Sequence, residues 1–101
     1  MGHKKTEHEQ AQELYQALLS LKTAGELEKF LRDLCTPQEI TALIDRWQIC
    51  QLLQAGDLSY RAISETTGAS LATITRVARF LKDEPYQGYT LALKRTKIQK
   101  L

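Results

Sequence analysis

Apolar residues recur at helical spacing along almost the whole chain, and no strand-like alternation extends beyond a few residues. The first predicted helix has one apolar face, formed by Ala11, Leu14, Ala17, Leu18 and Leu21. Thr23 and Glu26 then have the spacing of a capping box. A short second helix follows, with apolar residues at i, i+3, i+4 and i+7, namely Leu27, Phe30, Leu31 and Leu34.

The third predicted helix has the clearest start signal. Thr36 and Glu39 have capping-box spacing, and Pro37 falls at the first helical position, where its missing N–H is harmless. We expect the helix to reach about Ala55, because Gly56 can adopt the left-handed conformation that ends a helix. Its two apolar stripes are Ile40, Leu43, Ile44 and Trp47, with Trp47 as a core anchor, and Ile49, Leu52 and Leu53. Two stripes predict burial on two sides, either inside the monomer or against a second subunit.

Between about Leu58 and Lys82 the pattern predicts a helix-turn-helix motif. Ser59 and Ser70 can cap two short helices, and Gly68 can supply the positive φ of the turn between them. The predicted buried residues are Ile63 in the first of these helices and Ile74, Val77, Ala78 and Leu81 in the second. Residues 89–101 have a weaker pattern that fits either a short helix or a loose tail.

The outward side of the second of these helices has the chemistry of a DNA-binding surface. Its N-terminal residues are short enough to approach base edges in the major groove, and the hydroxyl and basic groups around them suit phosphates. The candidate DNA-binding residues are Ser59, Tyr60, Arg61, Ser70, Leu71, Ala72, Thr73, Thr75, Arg76, Arg79 and Lys82. Tyr60 and Arg61 also suit a solvated helix start, so both interpretations stay open.

Composition and charge agree with a single globular domain spanning residues 1–101. The chain is 43% hydrophobic and 26% charged, which is ordinary for a globular protein. The net charge is only +2, but residues 70–101 hold seven basic residues against two acidic ones. This asymmetry fits a C-terminal region that faces an anion, although a solvated basic tail would produce it as well.

Other kinds of site are not indicated. No apolar run approaches the ~20 residues of a membrane span, and the polar residues 1–10 do not indicate a signal peptide. We therefore expect a cytoplasmic protein with residues 1–6 frayed. Cys35 and Cys50 match no metal motif and are expected to be reduced, buried hydrophobes. We find no nucleophile elbow, phosphate-binding loop or ligand cluster, and we therefore expect no enzyme activity, cofactor or metal.

The segment from about Phe30 to Lys82 resembles the Trp repressor superfamily, in particular its members of unassigned regulon. The resemblance is carried by residues 34–39, Arg46, Leu52-Leu53, Gly56, Ser59, Arg61, Gly68-Ala69 and, most specifically, Ala72-Thr73-Ile74-Thr75-Arg76. It implies an all-α, intertwined helical homodimer whose two helix-turn-helix motifs bind a near-palindromic operator in double-stranded DNA. A repressor of transcription is the expected role.

The same resemblance implies a small-molecule effector pocket held by Thr36, Arg46 and Arg76. Val77 and Phe80 depart from the tryptophan-responsive members, which are expected to have Gly and Ser at these places. The larger side chains would obstruct the pocket, so tryptophan is disfavoured and the effector is unknown. Arg46 also fits an exposed helix residue paired with an acidic neighbour.

One alternative of a different class remains. The chain could be a helical dimeric adaptor that binds another protein and uses the helix-turn-helix only as a scaffold. Contacts to several phosphates make DNA binding weaken steeply as the salt concentration rises. Binding of an adaptor to another protein does not have to depend on salt in this way. Salt dependence therefore separates the two hypotheses.

Overall fold

Helices make up most of the described chain. The computed structural model describes residues 2 and 4–96. Within them lie six helices and no strand: α1 (Glu7–Leu19), α2 (Ala24–Leu34), α3 (Pro37–Ala55), α4 (Tyr60–Thr67), α5 (Leu71–Lys82) and α6 (Gly88–Thr96). The predicted all-α fold is confirmed. None of these helices is both long enough and apolar enough to cross a membrane.

Hydroxyl groups on either side of α1 mark its two ends. Thr6 Oγ1 accepts a hydrogen bond from the Glu9 N–H at 3.1 Å, and the Thr6 N–H donates to the Glu9 carboxylate at 2.8 Å. At the other end, the Ser20 hydroxyl donates to a carbonyl of the last turn. The helix therefore ends before Leu21, which the periodicity had placed on its apolar face.

The starts of α2 and α3 also follow from threonine caps. Thr36 and Glu39 form the predicted reciprocal pair, with distances of 3.1 and 2.8 Å. At α2, Thr23 accepts from the Glu26 N–H, but the Glu26 carboxylate accepts from the Lys22 N–H instead of completing the box. Each cap satisfies N–H groups that have no partner inside the helix.

The chain divides into two compact units, Met1–Ile40 and Thr41–Leu101. In the first unit, neither α1 nor α2 has a buried residue. Helices of this length are marginal in water on their own, because most helical stability in proteins comes from packing an apolar face. The apolar faces of α1 and α2 are therefore incompletely covered in the single chain.

The second unit contains the buried core. Its buried residues are Ile49, Cys50, Ile63, Ala69, Ile74, Val77, Ala78 and Leu81, with Trp47, Leu52, Leu53, Tyr89 and Leu93 packed against the cluster. Helix α5 contacts both α4 and α6. The predicted buried side of α5 is confirmed. Of the weakly patterned segment, residues 89–96 are helical, and residues 97–101 lie outside the described part.

The two predicted stripes of α3 have different surroundings. Ile49 is fully buried, whereas Leu43 and Ile44 are 46% and 56% exposed. Trp47 does not share the exposure of Leu43 and Ile44, because it packs against the core and stacks on Tyr89 with ring centroids 6.5 Å apart. Leu43 and Ile44 thus form an apolar patch that the described residues of the single chain leave exposed.

Burial raises the pKa of two groups at this core, the Cys50 thiol and the Tyr89 hydroxyl. It raises the pKa of the Cys50 thiol to about 11, so this cysteine stays protonated, as expected for a buried hydrophobe. Burial, with the nearby Cys50, also raises the pKa of Tyr89, although the positive charges of Arg46 and Arg76 act in the opposite direction. Cys35 is only half-buried and is likewise a free thiol.

Candidate nucleic-acid interface

The turn between α4 and α5 is fixed by one backbone conformation and a small set of hydrogen bonds. Gly68 has φ +78°, and its N–H donates to the Ser64 carbonyl at 2.8 Å. The Ser64 hydroxyl donates to the Ala69 carbonyl at 2.7 Å, and Thr67 Oγ1 accepts from the Ala69 N–H. The Ser64 hydroxyl therefore links α4 to the residues that follow the turn.

Both helices of the motif begin with the predicted serine caps. Ser59 accepts from the Ala62 N–H at 3.1 Å, and Ser70 accepts from the Thr73 N–H at 3.2 Å. The first turns of α1, α2 and α3 carry glutamates, whereas those of α4 and α5 carry no acidic residue. The partial positive charge of these two N-termini is therefore not offset within the helix, which favours an anion nearby.

Most of the predicted DNA-binding residues have accessible side chains. Ten of the eleven are exposed, namely Ser59, Tyr60, Arg61, Ser70, Leu71, Ala72, Thr75, Arg76, Arg79 and Lys82. Thr73 is half-buried, and its hydroxyl lies 3.0 Å from that of Ser70. Helix α5 therefore has a buried apolar side and an exposed side of short, hydroxyl-bearing and basic residues.

The arginines of α5 are oriented by neighbouring side chains. The guanidinium carbons of Arg76 and Arg79 lie 4.4 and 5.1 Å from the centre of the Phe80 ring. Phe80 stacks on Tyr86 with centroids 6.4 Å apart, and Arg79 Nε lies 3.5 Å from a Glu84 carboxylate oxygen. Tyr86 and Glu84 were not among the predicted site residues, because their contacts with Phe80 and Arg79 depend on the turn after α5.

The predicted effector residues have unlike surroundings. Arg76 and Phe80 line an open depression of about 290 Å³ together with Tyr86, Gln87, Gly88 and Tyr89. Val77 is 1% exposed and belongs to the core. Thr36 caps α3 in the other compact unit, so its grouping with Arg46 and Arg76 stays a prediction.

The structure does not support the alternative interpretation of Arg46 as an exposed residue paired with an acidic neighbour. Its side chain is half-buried, and it forms no ion pair within residues 2 and 4–96. Its Nε is buried and has no hydrogen-bond acceptor there. A buried donor without an acceptor is costly, so this nitrogen favours an acceptor from outside the chain.

No metal site accompanies these groups in the described part of the chain. There, no three His, Cys, Asp or Glu side chains are grouped so that they could hold a metal ion. The local chemistry is that of hydroxyl groups, guanidinium groups and aromatic rings.

Comparison with known proteins gives concordant matches. Residues 9–97 match the profile of the family described as Trp repressor protein. The chain is similar to the uncharacterized protein YerC of Bacillus subtilis (41% identity; 84% of this chain, 80% of YerC). It is also similar to a Trp operon repressor homolog of Aliivibrio salmonicida (43% identity; 66% and 65%). The crystal structure of a TrpR-like protein from Eubacterium eligens aligns with a TM-score of 0.83 at 38% identity, covering 89% of this chain and 91% of that one.

The left-handed turn gives a stability prediction. A Cβ at Gly68 would meet no atom within 4 Å, so Gly68→Ala tests the backbone conformation alone. We expect it to lower the free energy of unfolding by about 1–2 kcal/mol, the cost of the left-handed region for a non-glycine residue.

Gly88→Ala is the matched control, because its Cβ would also meet nothing and its φ is not positive. We expect this change to leave stability unchanged or to raise it by up to about 1 kcal/mol. Chemical denaturation at one fixed protein concentration measures both variants. Equal effects of the two substitutions would contradict the assigned role of Gly68.

Proposed function

Because the chain belongs to the Trp repressor family, we propose that it represses transcription by binding specific double-stranded DNA sites through α4 and α5. Family membership makes it a DNA-binding regulator and not an enzyme, in agreement with the sequence-based expectations. The finer proposal is carried by α5, where the core fixes one side and the opposite side exposes the groups that DNA recognition requires. Since a repressor acts on chromosomal DNA, we place the protein in the cytoplasm.

Base recognition is proposed for the N-terminal half of α5. A helix fits the major groove, and short side chains at its N-terminus allow close approach to base edges. Leu71, Ala72 and Thr75 are exposed there. The Thr73 hydroxyl is already shared with Ser70. We therefore expect sequence preference to depend more on Ala72 and Thr75 than on Thr73.

Phosphate binding is proposed for the residues around this surface. Tyr60 and Arg61 are exposed at the start of α4, and Arg79 and Lys82 are exposed near the end of α5. The Arg61–Glu65 pair is 3.8 Å apart with both side chains mostly exposed, so it contributes little and leaves Arg61 able to exchange partners. Such contacts fix the register of the protein on DNA without selecting a sequence.

A homodimer is the proposed active form. Within the described residues, α1 and α2 have no buried residue, and Leu43 and Ile44 on α3 are about half exposed. A second copy would cover these surfaces and would supply a second helix-turn-helix. A two-fold dimer matches a near-palindromic operator, with half-sites about 10 base pairs apart or a multiple of that spacing.

We also propose that the regulator does not depend on tryptophan. The Val77 side chain fills core space, and the Phe80 ring is contacted by Arg76, Arg79 and Tyr86. These contacts support an obstructed site. The unpartnered Nε of Arg46 supports a role for this residue in holding an acceptor from another molecule, either an effector other than tryptophan or the second subunit.

DNA recognition is tested by two substitutions at opposite ends of α5. Lys82→Ala should weaken binding to every duplex and reduce the log–log salt slope by about 0.9, because one phosphate contact is lost. Ala72→Gln should instead change the preference between duplexes, by about 1–3 kcal/mol per altered base contact. Fluorescence anisotropy over a range of salt concentrations measures both effects.

The two variants control for each other, since each leaves the other end of α5 intact. An Ala72→Gln protein that loses equal affinity for all duplexes would contradict the base-contact assignment. Wild-type binding that is flat in salt, or absent on duplexes selected from a random pool, would favour the adaptor.

Tryptophan independence is tested by calorimetry. We expect no saturable heat when tryptophan is titrated to about 1 mM, which excludes binding stronger than about −4 kcal/mol. Operator affinity should also be the same with and without tryptophan, because a compound that does not bind the protein cannot change its affinity for DNA. Saturable binding at micromolar concentrations, or a tryptophan-dependent gain in operator affinity, would refute this part of the proposal.

A further inference from the structure

The turn that follows α5 places the acidic side chain of Glu84 beside Arg79, a proposed DNA-binding residue. The N–H groups of Asp83 and Glu84 both donate to the Arg79 carbonyl, at 2.8 and 3.1 Å. The Glu84 carbonyl in turn accepts from Gln87 Nε2 at 2.7 Å. The backbone of Glu84 is therefore held on both sides. Its carboxylate lies 3.5 Å from Arg79 Nε because of this turn and not because of helical spacing.

This ion pair differs from the other arginine pairs of the described chain. Arg61–Glu65 and Arg32–Glu28 join neighbouring turns of one helix, and all four of their side chains are more than half exposed. The Glu84 side chain is 33% exposed, and the Arg79 guanidinium also lies over the Phe80 ring. Arg79 thus contacts both the Glu84 carboxylate and the Phe80 ring. Because Glu84 is the less exposed side chain of the ion pair, its attraction to Arg79 is screened less than in a fully exposed pair.

We propose that Glu84 is a positioning residue that restrains Arg79 and lowers the affinity of the protein for DNA backbone. This proposal rests on the proposed function of α5. In the free protein the carboxylate neutralises the guanidinium, so a phosphate must displace Glu84 or share Arg79 with it. The penalty falls on a contact that carries no sequence information. Glu84 therefore lowers the affinity for operator and unrelated DNA by a similar factor, and base recognition stays with the N-terminal half of α5.

The test uses two changes at Glu84. Glu84→Gln removes the charge, and Glu84→Asp keeps the charge but shortens the side chain by one methylene group. We expect Glu84→Gln to raise affinity about two- to fivefold for both operator and unrelated duplexes, the range that a surface ion pair supports. The salt slope should become steeper by up to about 0.9, because Arg79 then neutralises a phosphate fully. Glu84→Asp should also raise affinity, by less than Glu84→Gln.

The matched control is Asp83→Asn, which removes the same charge from the adjacent exposed residue. Asp83 forms no ion pair within the described residues. Its variant should show a smaller gain in affinity, produced by long-range charge alone. In an Arg79→Ala background, Glu84→Gln should lose its excess over Asp83→Asn, because the side chain that it restrains is gone.

These results separate the inference from the proposed function. If the wild-type protein binds no duplex, the proposed function fails. If it binds DNA but Glu84→Gln does no more than Asp83→Asn, or keeps its full effect without Arg79, the restraint by Glu84 is refuted. A Glu84→Asp protein with wild-type affinity would show that charge alone acts, and would overturn the positioning role. A gain in affinity is not an effect that loss of folding produces.

Discussion

The burial of one side of α5 is the interaction on which the rest of the account depends. Ile74, Val77, Ala78 and Leu81 lie in the core between α4 and α6, and their burial fixes the rotation of α5 about its own axis. Because a helix has only one opposite side, the same packing determines which residues are exposed. The exposed side carries the short residues at the N-terminus and the basic residues toward the C-terminus. The packing of the core thus also determines which residues of α5 are available for the proposed DNA contacts.

Other apolar surface stays uncovered in the described part of the single chain. The buried residues belong to Thr41–Leu101, while α1 and α2 bury none and Leu43 and Ile44 stay exposed. A chain of this size must cover most of its apolar surface to be stable. A second copy of the chain would cover that surface and would add a second recognition helix. Stability and operator symmetry would then have one structural origin.

Local signals made much of this predictable from sequence. Threonine and serine caps located the starts of α3, α4 and α5, and Gly56 and Gly68 located two helix ends, because these interactions involve residues a few positions apart. Interactions across turns were not predictable in the same way. The contact of Tyr89 with Trp47 depends on where α6 packs, and the approach of Glu84 to Arg79 depends on the turn before it. The hydrogen bond from the Ser64 hydroxyl to the Ala69 carbonyl likewise depends on the turn between α4 and α5.

The most direct test of the central claim is selection of binding sites from random duplexes, with the mass of the resulting complex measured. We expect an enriched sequence with two inverted half-sites whose centres lie about 10 base pairs apart, or a multiple of that. The complex should contain two chains per duplex. No enriched sequence, or a single half-site occupied by one chain, would contradict the account.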